Sequence, residues 1–255
     1  MTEEVAVFID IENLRYGLLN TYGVEPDISH VLEKAQKYGR PSVMRAYADF
    51  TEHPTPLRRQ LEIAGIEAIN VSVRRTKSDG VERVKNAADM VLAVDALMEA
   101  FEADRNGKSK VFLLVTGDRD YVRLVTQLRN RCGQRVIVTG VPGCIAEDLV
   151  KAAGEEDPID VQAVPEAPVA EIKKALVKMI HVGPAPLQYW TGKLIDQWSQ
   201  DGRQSVPGTP KARRNAIGEL YTESVLLKRE FEKPNGQRVT ETYLDETKAI
   251  GCGYL

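Results

Sequence analysis

The run Val111-Phe-Leu-Leu-Val115 constrains this chain most. Five apolar residues in succession, closed by Thr116-Gly117, read as a strand buried on both faces and followed at once by a turn. Two aspartates come next. Asp118 stands where the strand ends, and Asp120 opens a helix that Tyr121, Leu124, Val125 and Leu128 continue. Either acid alone reads as a helix N-cap or a turn residue. Two together, beyond a buried strand, repel each other and lack apolar company, so they invite a functional reading. The pattern recurs near the start, where the apolar run from Val5 reaches Asp10 and Glu12-Asn13 begins a turn into a helix.

Strand and helix patterns alternate between these two runs. Helical spacing over residues 31–38 stops at Gly39-Arg40-Pro41, an end followed by a breaker. Residues 43–49 read as a strand, 57–64 as a helix ending at Gly65, and 67–73 as an alternating strand. The basic, polar stretch 74–85 predicts a mobile loop. Residues 86–101 carry the strongest helical pattern, with Met90, Val91, Val94, Leu97, Met98 and Phe101 forming an apolar stripe. A strand at 135–139 and a helix at 144–153 complete the series. This is the signature of an α/β fold, a parallel Rossmannoid sheet covered by helices on both faces. No Gly-x-Gly-x-x-Gly follows the first strand and no P-loop motif occurs, so nucleotide-cofactor readings lack support. In such sheets ligands bind outside the carboxyl ends of the strands, where both Asp10 and Asp118 fall.

Beyond residue 153 the composition changes. Residues 154–168 are acidic and Pro-rich, a linker by composition, which divides the chain into domains at 1–153 and 169–255. The second domain reads as helices at 169–180, 186–200 and 210–226, with Trp190, Leu194, Ile195, Trp198, Ile217 and Leu220 available for its core. Two strand patterns, 225–231 and 238–244, flank Pro234-Asn-Gly236, a hairpin signal. Three helices followed by a hairpin predict a small α+β, winged-helix-like module.

Charge is distributed unevenly. Residues 1–168 hold 21 basic and 27 acidic side chains, net −6, whereas 169–255 hold 13 and 10, net +3. An acidic half joined to a mildly basic one fits a metal site with an accessory binding module. Three widely spaced cysteines and three scattered histidines argue against a disulfide framework and a structural zinc site. No leader pattern and no apolar run of membrane-spanning length occurs, so a cytoplasmic protein without a membrane role is expected.

The candidate chemistry rests on Asp10, Asp89, Asp118 and Asp120, four acids that the predicted elements can bring together. Asp95, six residues after Asp89, lies about 240° around the same helix and is expected to serve structure instead. Carboxylates without histidine or cysteine favour hard ions such as Mg²⁺ or Mn²⁺, which suit phosphodiester hydrolysis. Arg74, Arg75, Lys77, Arg83 and Lys85 could hold a nucleic-acid backbone over that acidic floor, or simply form a solvated charge run.

Three blocks now resemble one family: Phe8-Ile-Asp-Ile-Glu-Asn13, Lys85-Asn-Ala-Ala-Asp-Met-Val-Leu-Ala-Val-Asp-Ala-Leu97 and Leu114-Val-Thr-Gly-Asp-Arg-Asp-Tyr-Val122. Together and in this order they are similar to the signature blocks of the NYN domain family, part of the PIN-like ribonuclease superfamily. The resemblance covers about residues 4–153. It implies that Asp10, Asp89, Asp118 and Asp120 are the catalytic and metal-binding acids, and that Asn13 and Thr116 fill the amide and small-hydroxyl positions near the substrate. The implied activity is a metal-dependent ribonuclease acting on RNA. A non-catalytic RNA-binding regulator on the same fold is the alternative. An aspartyl-phosphatase reading lacks the second Asp expected two residues after Asp10. The C-terminal module resembles winged-helix or LOTUS-like domains, which leaves RNA, a protein partner or a second copy of the chain as its target.

Overall fold

The computed structural model describes residues 3–72, 74–78, 81–85, 87–161, 167–182, 206–232 and 238–255. They divide into two compact units: Met1–Leu18 with Val24–Gln162, and Leu19–Gly23 with Ala163–Leu255.

The first unit is built on five parallel strands: β1 (Glu4–Asp10), β2 (Arg40–Ala48), β3 (Glu67–Asn70), then β6 (Lys110–Val115) and β7 (Arg135–Thr139). Their order is β3-β2-β1-β6-β7. The chain therefore winds outward from β1 in one direction and returns beside β1 to wind outward in the other. The paired strands β1 and β6 form the topological switch point, from which crossovers leave in opposite directions; sheets of this kind bind ligands at the carboxyl ends of such strands. β1 and β6 are the central strands, and from Val5 and Val111 onward every residue of both is buried. That is why they read as unbroken apolar runs.

Helices cover both faces. On one, Ala6, Phe8, Phe112, Leu114, Val136 and Val138 pack against α4 (Ala88–Arg105), α5 (Val122–Asn130) and α6 (Glu147–Ala153). Phe8 stacks between Tyr47 and Phe112, with ring centroids 6.5 and 6.0 Å away. α1 (Ile11–Tyr22), α2 (Ile28–Tyr38) and α3 (Thr55–Ile63) supply the remaining connections. Asp27 caps α2 by accepting from the Ser29 N–H at 2.9 Å, as an N-cap aspartate does.

Two expectations are corrected. Within the expected loop, residues 74–78 and 81–85 are instead antiparallel strands, β4 (Arg74–Ser78) and β5 (Val81–Lys85), with Arg74 opposite Lys85 and Thr76 opposite Arg83. The charge run concealed the hairpin signal that Asp79-Gly80 carries in the sequence. The second concerns α4. A stripe at helical spacing ordinarily faces the core, yet Met90, Val94, Met98 and Phe101 are 69, 49, 65 and 53 % exposed. The buried face consists of Ala88, Leu92, Ala96, Ala100 and Ala103. Small side chains let α4 approach a sheet face already filled by Phe8, Phe112 and Tyr47, whose rings take up the space larger helix residues would need.

The acidic stretch after α6 begins as part of the first unit. Glu156 bridges Val138, and Asp157 accepts from Lys34 Nζ at 2.8 Å, Lys37 Nζ at 2.7 Å and the Tyr38 hydroxyl at 2.8 Å. Burial alone would raise the Asp157 carboxyl, but these three donors hold it at about 2.

The second unit contains α7 (Val169–Val182), α8 (Pro210–Thr222), an antiparallel pair β8 (Leu226–Glu232) and β9 (Arg238–Leu244), and α9 (Glu246–Gly251). Ile172, Leu176, Val177, Ala216, Leu220, Val225 and Ala249 form its core. Lys173 is buried and paired with Glu219 and Glu223 at 2.5 and 2.6 Å. The expected helix at 186–200, with both tryptophans, and the Pro234-Asn-Gly236 turn lie outside the described residues. Among the described residues no helix is long and apolar enough to cross a membrane.

Candidate active site

Asp10 is the last residue of β1, and α1 starts at the next position. One carboxylate oxygen, Oδ1, accepts the Asn13 N–H at 3.0 Å and so caps α1. The other, Oδ2, faces inward, where the Thr116 hydroxyl donates at 3.3 Å and the Tyr121 hydroxyl lies at 3.4 Å. Only 7 % of the residue is exposed. Burial, and then the neighbouring charge of Asp89, lift the carboxyl to about 6, against the opposing hydrogen bond from Asn13.

Asp89 is the second residue of α4, half-buried, at the positive end of the helix dipole. Its Oδ1 accepts the Tyr121 hydroxyl at 3.1 Å. The phenol thus touches both acids from a position that is 3 % exposed. Burial and the charges of Asp10 and Asp89 drive its pKa far above that of an ordinary phenol. Asp118 lies three residues past β6, half-buried, and its Oδ1 accepts the Asp120 N–H at 3.0 Å to cap a 3₁₀ turn over Arg119–Tyr121. Asp120 is exposed on that turn and lines, with Asp89 and Tyr121, a groove of about 540 Å³ between α4 and α5.

Asn13 and Thr116 tie the strand ends together. The Asn13 side-chain carbonyl accepts the Gly117 N–H at 2.8 Å, and the Thr116 hydroxyl oxygen accepts the Asp118 N–H at 3.2 Å. Gly117 is required for contact, since a Cβ there would stand 2.3 Å from the Cys144 carbonyl oxygen. Arg74, Arg75, Lys77 and Lys85 occupy the β4–β5 ladder, with Arg74 and Lys85 at one register position and Lys77 opposite Glu82. Asp95 points elsewhere: it accepts the Tyr47 hydroxyl at 2.9 Å and faces Arg45 at 3.8 Å. That matches the angular argument from the helix repeat.

The arrangement brings Asp10 and Asp89 within reach of one hydroxyl, with Asp118 three residues past the adjoining strand. Among the described residues no three Asp, Glu, His or Cys side chains group closely enough to hold one ion. The available donors are all oxygen, which is the chemistry hard divalent ions take. Asp10 also carries a burial penalty that a bound cation would offset. Tyr121, whose hydroxyl lies against two of the candidate acids, is the residue that sequence reasoning passed over. Its apolar neighbours Leu124, Val125 and Leu128 made it read as helix core, and its place immediately after Asp118-x-Asp120 was the available signal.

The family model described as the NYN domain matches residues 4–159. No curated protein matches. Among solved structures, a protein of unknown function from Vibrio parahaemolyticus is similar, with a TM-score of 0.53 and 24 % identity. The match covers 62 % of this chain and 94 % of that one, a likeness of fold alone.

Proposed function

Because the chain belongs to the NYN domain family, a family of PIN-like nucleases, we propose that it is a metal-dependent ribonuclease that hydrolyses RNA phosphodiester bonds. The observation that carries this reading is the meeting of Asp10 and Asp89 around one buried hydroxyl at the β1–β6 switch point, with Asp118 beside them. Asp10 and Asp89 would hold Mg²⁺ or Mn²⁺ with waters completing its shell, Asp118 would reach the ion through such a water, and exposed Asp120 would stand at the mouth of the site. Such an ion, when bound, lowers the pKa of a water and neutralises charge on the leaving oxygen. Thr116 and Asn13 keep the two strand ends in register, so that the carboxylates face one space. The basic β4–β5 hairpin would grip the phosphate backbone through Arg74, Arg75, Lys77 and Lys85.

The proposed organisation is a nuclease domain at 1–153, a connecting stretch at 154–168 and a winged-helix-like module at 169–255 that adds RNA or protein contacts. A cytoplasmic site of action belongs to the same proposal. That no three such side chains group around one point among the described residues favours a second reading, a regulator that binds RNA without turnover. Asp118→Asn separates the two. Under the nuclease reading it abolishes cleavage of RNA while circular dichroism and melting stay those of the wild type. Unchanged turnover by the folded variant would remove Asp118 from the chemistry.

A further inference from the structure

We propose that the Tyr121 hydroxyl is a positioning group that fixes the gap between Asp10 and Asp89 and thereby sets the affinity of the site for a divalent cation. The inference rests on the reading that these carboxylates bind such an ion. Tyr121 ends the 3₁₀ turn after Asp118, and its ring belongs to the core formed by Ala88, Leu92, Leu124 and Val125. The ring alone satisfies that packing, and a phenylalanine would fill the same space. The hydroxyl has a separate job. It lies 3.1 Å from Asp89 Oδ1 and 3.4 Å from Asp10 Oδ2, with one proton to give.

Asp10 ends a sheet strand, whereas Asp89 lies in the first turn of a helix that follows β4 and β5 in the chain. Among the described residues, no other side chain hydrogen-bonds the Asp89 carboxylate. Two carboxylates at this separation repel, and a hydroxyl between them offsets part of that cost through its donated proton. It also limits how far either side chain can turn away. Groups that orient ligands in this way commonly change metal affinity by 10–100-fold when removed.

The test uses the full-length chain and Mn²⁺ alone. Binding is measured by calorimetry for wild type and Tyr121→Phe, and melting of both is followed in EDTA. The expected result is Mn²⁺ binding weaker by on the order of tenfold, with melting in EDTA unchanged and cleavage restored at higher Mn²⁺. Equal affinity in the two proteins would overturn the positioning role and leave the nuclease reading standing. A variant that unfolds in EDTA would also overturn it, by assigning the hydroxyl to folding. Absence of Mn²⁺ binding by the wild type would overturn the metal reading and this inference with it.

Discussion

Asp10 is a carboxyl whose burial sets a pH dependence on the stability of the folded chain. Its carboxyl ordinarily ionises near 3.8, but burial lifts this to about 6 in the folded protein. Between those values the folded state binds the proton more tightly than the unfolded chain does. Stability therefore falls as pH rises through this window, by about 3 kcal/mol in total, and stays reduced above it. Asn carries no charge and keeps an acceptor for the Asn13 N–H. In EDTA at pH 8, Asp10→Asn is predicted to resist urea better than the wild type by roughly 1–3 kcal/mol, the gap closing by pH 4. A less stable variant at pH 8 would mean that the charge is welcome in the fold and the site is not strained. Legibility at this scale was uneven. Asp10 and Asp118 stood out because acids rarely end buried apolar runs. Tyr121 did not, because only its hydroxyl, set by tertiary placement, distinguishes it from a core aromatic.

At the scale of elements, continuous apolar runs identified β1, β6 and β7 because central parallel strands are buried on both faces. Periodicity misplaced the orientation of α4, for it records where large apolar side chains recur and not which face the sheet can accommodate. Phe8, Phe112 and Tyr47 occupy that space, and alanines therefore make the contact. Met98→Gln is accordingly predicted to change stability by no more than about 0.5 kcal/mol, whereas Ala96→Leu costs roughly 1–3 kcal/mol through overpacking. Denaturant titration of both variants checks this, and the reverse ranking would place the Met98 stripe inside. The basic hairpin β4–β5 was hidden for a different reason. Its strands carry charge where most strands alternate apolar and polar residues, so apolar patterning did not mark them and the Asp79-Gly80 signal went unread.

At the scale of the molecule, two units each have a core of their own. The acidic stretch after residue 153 was legible as a change in composition, but not its pairing with β7. Bonds from Lys34, Lys37 and Tyr38 to Asp157 join residues more than 100 positions apart, beyond the reach of local pattern. If the C-terminal unit helps hold substrate, a 1–165 fragment cuts RNA at the same positions but binds it more weakly in filter-binding titrations. Equal affinity would assign that unit another task. The decisive measurement is cleavage of labelled single-stranded, hairpin and tRNA substrates by the full-length chain in Mg²⁺, Mn²⁺ or EDTA, beside Asp118→Asn. Cutting that requires the metal and disappears in the variant is the predicted result. Cutting that persists in EDTA or in the variant, or RNA binding without any cutting, would contradict a carboxylate-held metal nuclease.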